Sequence, residues 1–361
     1  MAGRIVLFGA TGYTGRLTAD AFSRRGVKPV LAARSVEALD ALASELGGDH
    51  ETAVADVSRP ETVRALVERG DVLLSTVGPF VRFGEPAVRA AIDAGAHYID
   101  STGEGPFIRR VFEEFGPQAE RAEVVLLTAM GYDWVPGNLA GGLALQEAGE
   151  AATRLDVGYF ILGAAAMSGG TRASAAGALL DDTYAFRGGR IVTERGGARV
   201  RSFDVNGRSL QSLTAGATEA FSLPRVHPTL RDVDTYLGWF GPATRAVATF
   251  SLAARLPGAR AALGALAERF VKGSSGGPDA AARARSRSHV VAVACNSAQA
   301  PLATVHLEGA NGYDFTGEML AWAAERARDG ALHGTGALGP VEAYGLDPLR
   351  EGVAEAGITR V

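Results

Sequence analysis

The chain has 361 residues and a formal net charge of -4, with 47% apolar and 21% charged residues. That length and balance predict a globular protein of two domains that needs no disulfide staples. No basic block is present, which argues against nucleic acid as the main partner, because phosphate neutralisation needs clustered Lys and Arg. The 47 glycines are nearly twice the usual share but follow no Gly-X-Y period, so they read as placed singly for backbone reasons. Of the 36 basic residues all but Lys28 and Lys272 are arginine. Arg24 and Glu268 stand four residues before the two lysines, so the Tyr-x-x-x-Lys pair of short-chain reductases is absent. The single cysteine, Cys295, cannot form an internal disulfide and suits a reducing cytoplasm. The first apolar run follows no charged leader or cleavage site, which also predicts a cytoplasmic protein. The longest apolar stretch, Leu237–Leu256, is interrupted by Pro242, Arg245 and Arg255. It reads as amphipathic or loop-rich surface, with contact to a lipid surface as a minor alternative.

Taken in chain order, the first 130 residues alternate short apolar runs with helical patterns. Strands are predicted at Arg4–Phe8, Pro29–Ala33, Thr52–Ala55, Val72–Val77, His97–Asp100 and Val124–Ala129. Such runs are expected of parallel strands buried on both faces. Helical spacing recurs in Val36, Leu39, Leu42 and Leu46, then in Val63, Leu66 and Val67, then in Val88, Ala91 and Ile92. Pro60 beside Glu61, and Pro86 beside Glu85, mark helix starts. This alternation predicts a doubly wound Rossmann-type α/β sheet. After Ala129 the rhythm breaks. A strand is predicted at Leu155–Leu162, a helix at Thr171–Phe186 and a hairpin turn at Gly188-Gly189 before a strand at Arg190–Glu194. Residues 196–245 resist assignment. A helix at Arg255–Val271, a loop at Gly273–Pro278, antiparallel strands at Ser288–Cys295 and Leu302–Leu307, and a helix at Phe315–Arg328 follow. The second domain is therefore expected to be α+β with a mixed or antiparallel sheet, spanning residues 131–330 after a nucleotide domain of residues 1–130.

The strongest motif is Gly9-Ala-Thr11-Gly12-Tyr13-Thr14-Gly15, which follows the first strand and opens a helix. Gly9 permits a tight turn, Gly12 lets backbone approach a pyrophosphate, and Gly15 lets helix and strand pack closely. The end of the second strand carries Arg34-Ser35 where an NAD site places an acid for the ribose hydroxyl. A guanidinium there can fork onto a 2′-phosphate, so the expected cofactor is NADPH/NADP. Ser35 adds a hydrogen bond or caps the helix. Asp56 is read either as an adenine contact or as a turn residue. Thr76-Val77-Gly78-Pro79-Phe80 follows the fourth strand at the crevice and reads both as a structural turn and as a cofactor contact, with Gly78 allowing approach to the nicotinamide ribose and Phe80 packing on it. Tyr98, Asp100, Tyr132 and Asp133 are the candidate proton donors, with Glu104 another crevice acid and loop-stabilising hydrogen bonds the alternative. Asn138 is expected to cap the next helix. No metal site is expected: the six histidines show no pairing at ligand spacing and there is no Cys cluster.

With these pieces assembled, the chain resembles the saccharopine dehydrogenase-like reductases, and within them bacterial trans-acting enoyl reductases. The resemblance rests on Gly9–Arg16, Ala33–Ser35, Ser75–Phe83, Tyr98–Glu104 and Gly131–Asn138, with weaker support from Ser168–Ala175 and Gly339–Ala343. It implies a Rossmann NADP-binding domain, a substrate and dimerisation domain, a homodimer, and a C-terminal segment (331–361) returning to the first domain. It further implies NADPH-dependent hydride transfer to an activated C=C or C=N bond of a small or carrier-linked substrate. Gly169-Gly170-Thr171 either caps a helix or binds a carboxyl, phosphate or thioester-linked group. Asn138 replaces the Asp of lysine-pathway members, which argues against a direct transfer of their amino-acid C–N dehydrogenase activity. A non-catalytic NADP-binding sensor or scaffold on the same fold is the competing function.

Overall fold

The computed structural model describes residues 3–163, 182–253 and 276–361. It divides into two compact units: one comprises the chain up to Thr102, Phe107–Val135 and Gly312–Ala356, the other Gly103–Pro106, Pro136–Asn311 and Gly357–Val361. The sequence-based boundaries at 130 and 330 shift accordingly. The return to the first unit begins at Gly312, with the helix expected at Phe315–Arg328.

In chain order the first unit forms β1 (Ile5–Phe8), α1 (Tyr13–Arg24), β2 (Val30–Ala33), α2 (Val36–Glu45), β3 (Thr52–Val54), α3 (Pro60–Arg64), β4 (Val72–Ser75), α4 (Phe80–Phe83), α5 (Glu85–Ala94) and β5 (His97–Asp100). Next come α6 (Gly105–Arg110), a π-helical turn at Val111–Phe115, α7 (Gly116–Arg121) and β6 (Val125–Leu127). All six strands were legible in the sequence to within one or two residues at each end. Every residue of β1, β2 and β4 is buried, as both faces of a parallel sheet require. The edge strand β3 departs from this, with Thr52 and Val54 exposed. Ser35 Oγ accepts from the Ala38 amide at 3.2 Å and caps α2. Pro60 and Pro86 sit in first turns, where a missing N–H costs no helical bond.

The second unit contains α8 (Val135–Ala148, from its second residue on), β7 (Arg154–Gly163), β8 (Asp182–Arg187), β9 (Arg190–Arg195), β10 (Val200–Val205), β11 (Arg208–Ala215), α9 (Glu219–Val226), β12 (Asp232–Leu237), α10 (Thr244–Ala253), α11 (Ala280–Ala284), β13 (Ser286–Cys295) and β14 (Pro301–Gly309). Asp182–Arg187 is a strand, so the helix expected to reach Phe186 is corrected there. The Gly188-Gly189 turn closes a β8–β9 hairpin, whose cross-strand pairing overrides local helical spacing. Residues 171–181 of that expected helix, the 255–271 helix and the 168–175 motif lie outside the described residues. Within α10, Phe250 and Leu252 are exposed, and no helix among the described residues is long and apolar enough to cross a membrane.

The chain then adds α12 (Gly312–Arg328), β15 (Gly336–Ala337), α13 (Pro340–Tyr344) and α14 (Leu346–Glu355) to the first unit, and β16 (Ile358–Arg360) to the second. The first sheet has the order β15-β6-β5-β4-β1-β2-β3, with every neighbour parallel. Helix α12 buries Phe315, Met319, Leu320 and Trp322. A Cβ on Gly317 would stand 2.9 Å from the Leu17 carbonyl, so α12 can lie this close to α1 only with glycine there.

The second sheet runs β10-β11-β12-β7-β13-β14-β16, with β8 and β9 attached through β12. It is mixed: β12 and β7 are parallel, the other pairs antiparallel. Phe203 of β10 packs against Phe160 and Tyr236, with ring centroids 5.8 and 5.5 Å apart. Each such fully buried side chain contributes on the order of 1.5–3 kcal/mol. This cluster, with Val205 and Val291, holds β10 near β13, to which it makes no ladder bonds.

Two buried acids, Asp156 and Asp234, stand side by side on β7 and β12. Like charges so placed persist only with cations on them. Arg154 bonds both carboxylates at 2.8–3.0 Å, Arg201 pairs with Asp156, and Arg187 and Arg199 pair with Asp234. Asp234→Ala removes one acid from Arg154, Arg187 and Arg199, which keep Asp156 or Glu194 as partners. It should lower unfolding free energy by on the order of 2–3 kcal/mol, the buried-pair cost discounted for the solvent access of the Arg heads. Urea unfolding of wild type and variant measures the difference.

Candidate functional site

The order of the parallel sheet reverses at β1, which neighbours both β2 and β4. Ligands of open α/β sheets bind beyond the carboxyl ends of strands at such a point. The Gly9–Gly15 turn leaves β1 there. Gly9 has φ 91°, a conformation that favours glycine, and its amide and that of Ala10 both donate to the Ala32 carbonyl at 2.8 and 3.1 Å. Thr76, just past β4, donates its Oγ1 to the Gly9 carbonyl at 3.1 Å and ties the two strand ends together. A Cβ on Gly15 would overlap the Gly9 carbonyl oxygen, so the first turn of α1 lies directly on this loop.

Gly12 is the N-cap of α1 and is exposed. No side chain caps this helix end, and its first turn carries no acid. No acid of the first turn therefore offsets the positive end of the helix, which suits a phosphate site. Thr11, Tyr13 and Thr14 are half-buried around it. The Tyr13 ring stands edge-on to Tyr313 at 5.4 Å, and the Thr14 carbonyl accepts from Thr18.

Arg34 lies exposed at the end of β2, and no hydrogen bond or ion pair among the described residues holds its guanidinium. Asp56 takes the turn alternative: its Oδ1 accepts from the Ser58 amide at 2.9 Å. That hydrogen bond holds its carboxyl below the usual range, and the Arg34 charge adds to the effect. Ser35 serves as a cap and also donates to Glu37 at 2.7 Å. Val77 is half-buried and Gly78 and Pro79 are exposed beyond β4. Phe80, expected on the nicotinamide ribose, is instead a core residue. It is 6% exposed and packs on Phe107 with ring centroids 5.6 Å apart.

The four acid candidates separate by environment. Tyr98 and Asp100 are fully buried on one face of β5. Asp100 Oδ1 accepts from the Thr102 and Ala129 amides at 2.9 Å, and Oδ2 from Thr128 Oγ1 at 2.8 Å. Burial outweighs these donors and pushes its carboxyl up to about 6. Asp100 thus joins the ends of β5 and β6, the loop-stabilising alternative the sequence left open. Burial, then the Asp100 charge, pushes the Tyr98 hydroxyl well above its ordinary value. Tyr132 is buried against Phe315, and its amide donates to Thr316 Oγ1 at 3.0 Å. Asp133 is different. The residue keeps partial solvent access, yet its Oδ1 has none and no hydrogen-bond partner, and burial pushes the carboxyl up to about 7.

Two features escaped the sequence reading. Asn138 lies inside α8, not at its cap. It is fully buried in a polar chain, donating to Thr218 Oγ1 at 2.8 Å and accepting from Ser222 Oγ at 2.6 Å. Beside it, Tyr159 accepts from the Gly137 amide at 2.8 Å and donates to buried Glu219 at 2.7 Å. The second feature is a contact between His289 and His306, with Nδ1 and Nε2 3.2 Å apart. Their 17-residue separation hides it until the β13–β14 register is known.

Asp100 and Asp133 have folded-state values above the ordinary ~3.9 of an unfolded Asp. The folded chain then retains protons that the unfolded chain has released. Stability therefore falls as pH rises from about 4 toward 7. Asp133→Asn removes the part of this fall that extends to about 7. Urea midpoints at about pH 4.5 and 7.5 should differ less in the variant than in wild type.

Comparison with known proteins agrees with this geometry. Residues 5–127 match the family described as Saccharopine dehydrogenase NADP binding domain. A trans-acting enoyl reductase of Mycobacterium tuberculosis is 39% identical over 140 residues, covering 37% of this chain and 34% of that protein. One from Mycobacterium ulcerans matches to the same extent. The match thus spans about a third of the length of these relatives. Apo saccharopine dehydrogenase (L-Glu forming) from Saccharomyces cerevisiae shares the fold across 99% of both chains, with a TM-score of 0.63 at 14% identity.

Proposed function

We propose, on the premise that residues 5–127 belong to the saccharopine dehydrogenase NADP-binding domain family, that this protein is an NADPH-dependent reductase of a carbonyl-conjugated C=C bond. The observation that carries the reading is the glycine turn at the β1–β4 switch point, with no side-chain cap on α1 and, beside it, an Arg34 that no described residue pairs. Amides of the Gly12–Gly15 turn would hold the pyrophosphate, and Arg34 the 2′-phosphate. Bound NADPH supplies the hydride. The hydride adds to the β-carbon of the substrate and a proton to the α-carbon, which balances the reduction. Asp133 is the proposed proton donor, because a carboxyl poised near 7 is still partly protonated at neutral pH.

The choice of C=C over an amino-acid C–N bond rests on two supports. Matching relatives carry the name trans-acting enoyl reductase. The arginine cluster of the second unit, Arg154, Arg187, Arg199 and Arg201, is already engaged by Asp156, Asp234 and Glu194, which leaves it poorly suited to a substrate carboxylate. A substrate carried as a thioester needs no such cation.

NADPH oxidation with a conjugated enoyl thioester tests the activity. Turnover with that substrate and none with a cyclic imine is expected. Tight NADPH binding without turnover of either would assign a sensor instead. Arg34→Ala should weaken NADPH about 10- to 100-fold, the range of a charged hydrogen bond, and leave NADH affinity unchanged. Asp133→Asn should lower kcat by about 10²- to 10⁴-fold and abolish the decline of wild-type kcat above about pH 7.

A further inference from the structure

His289, His306 and Glu308 lie in the second unit. On antiparallel strands β13 and β14, His289 stands directly opposite Glu308, and His306 precedes Glu308 by two residues. All three side chains therefore share one sheet face. One donor atom from each lies within 4.8 Å of the others. His289 Nδ1 is 3.2 Å from His306 Nε2 and 3.6 Å from Glu308 Oε2.

These distances have a specific meaning. Ligands at ~2.0–2.1 Å from a tetrahedral zinc ion stand roughly 3.3 Å apart. The two distances from His289 fall on either side of that edge length, and the His306–Glu308 pair lies within 4.8 Å. The carboxylate is oriented from outside the trio: Asn206 Nδ2, at the β10–β11 turn, donates to Glu308 Oε2 at 3.2 Å. Such support is what metal-ligating carboxylates generally have. His289 is 3% exposed, while His306 and Glu308 are half-buried, so the trio is closed on one side and reachable by an ion on the other.

We propose that His289, His306 and Glu308 bind one divalent transition-metal ion of the zinc class, with water in the fourth position. Two imidazoles and one carboxylate suit zinc and its neighbours, not the oxygen-seeking calcium or magnesium. Bound there, the ion would cross-link the β13–β14 hairpin to the β10–β11 turn through Asn206.

The full chain, stripped with chelator, is titrated with Zn²⁺ against a chromophoric competitor, and separately with Co²⁺. One equivalent of Zn²⁺ is expected, with the visible ligand-field absorption of tetrahedral Co²⁺ and a rise in Tm on loading. His306→Gln and Glu308→Gln should each weaken Zn²⁺ at least 10-fold, with NADPH affinity unchanged as proof of fold. Glu308 is partly exposed, so its variant covers the case in which His306→Gln fails to fold. Absence of Zn²⁺ binding at micromolar concentration, or binding that neither variant weakens, overturns the proposal and leaves the pair as a histidine–histidine hydrogen bond.

Discussion

The approach of Gly15 to the Gly9 carbonyl is the constraint on which the nucleotide unit is arranged. Any side chain at position 15 would overlap that oxygen, so only glycine brings α1 down onto the turn that leaves β1. The contact sets the N-terminus of α1 at the place where the sheet order reverses. The opposite side of α1 receives α12 through Gly317, a close approach made by a segment some 300 residues later in the chain. A helix from the end of the sequence thus braces the helix that starts the binding loop.

Individual buried acids are satisfied in different ways, and the differences bear on function. In the second unit, Asp156 and Asp234 are each satisfied by arginine, which makes a structural network with no evident task in catalysis. In the first, Asp100 is satisfied by three donors and fastens two strand ends. Asp133 has neither cation nor donor at Oδ1 and retains partial access to solvent. An acid left in that state raises the energy of its charged form, which is costly for stability and useful for proton delivery. Of the two carboxyls among the four candidates, Asp133 is the one that keeps partial solvent access, while Asp100 is fully buried.

The parallel sheet was legible because its strands are short, apolar and separated by helical periods. The cofactor loop was legible because its glycines answer to backbone geometry within seven residues. The place of Arg34 was legible because the apolar run of β2 ends just before it. What escaped depends on contacts distant in sequence. Asp182–Arg187 becomes a strand only through its pairing with β9. Asn138 is drawn into α8 by Thr218 and Ser222, some eighty residues away. The histidine pair was hidden because a β-bulge at Ala294/Cys295 shifts the hairpin register, so ligand spacing along the chain gives no sign of it. Phe80 misled because a strand-end position says nothing of which way a side chain turns, and Phe107 offered it a core contact.

Amide hydrogen exchange of the full chain with and without dinucleotide tests the central claim most directly. Saturating NADPH should slow exchange at the amides of Gly12, Tyr13, Thr14 and Gly15 and around Arg34. NADH at saturation should protect the glycine turn but not the Arg34 segment. NADPH binding that leaves the 12–15 amides unprotected would place the cofactor elsewhere and contradict the account.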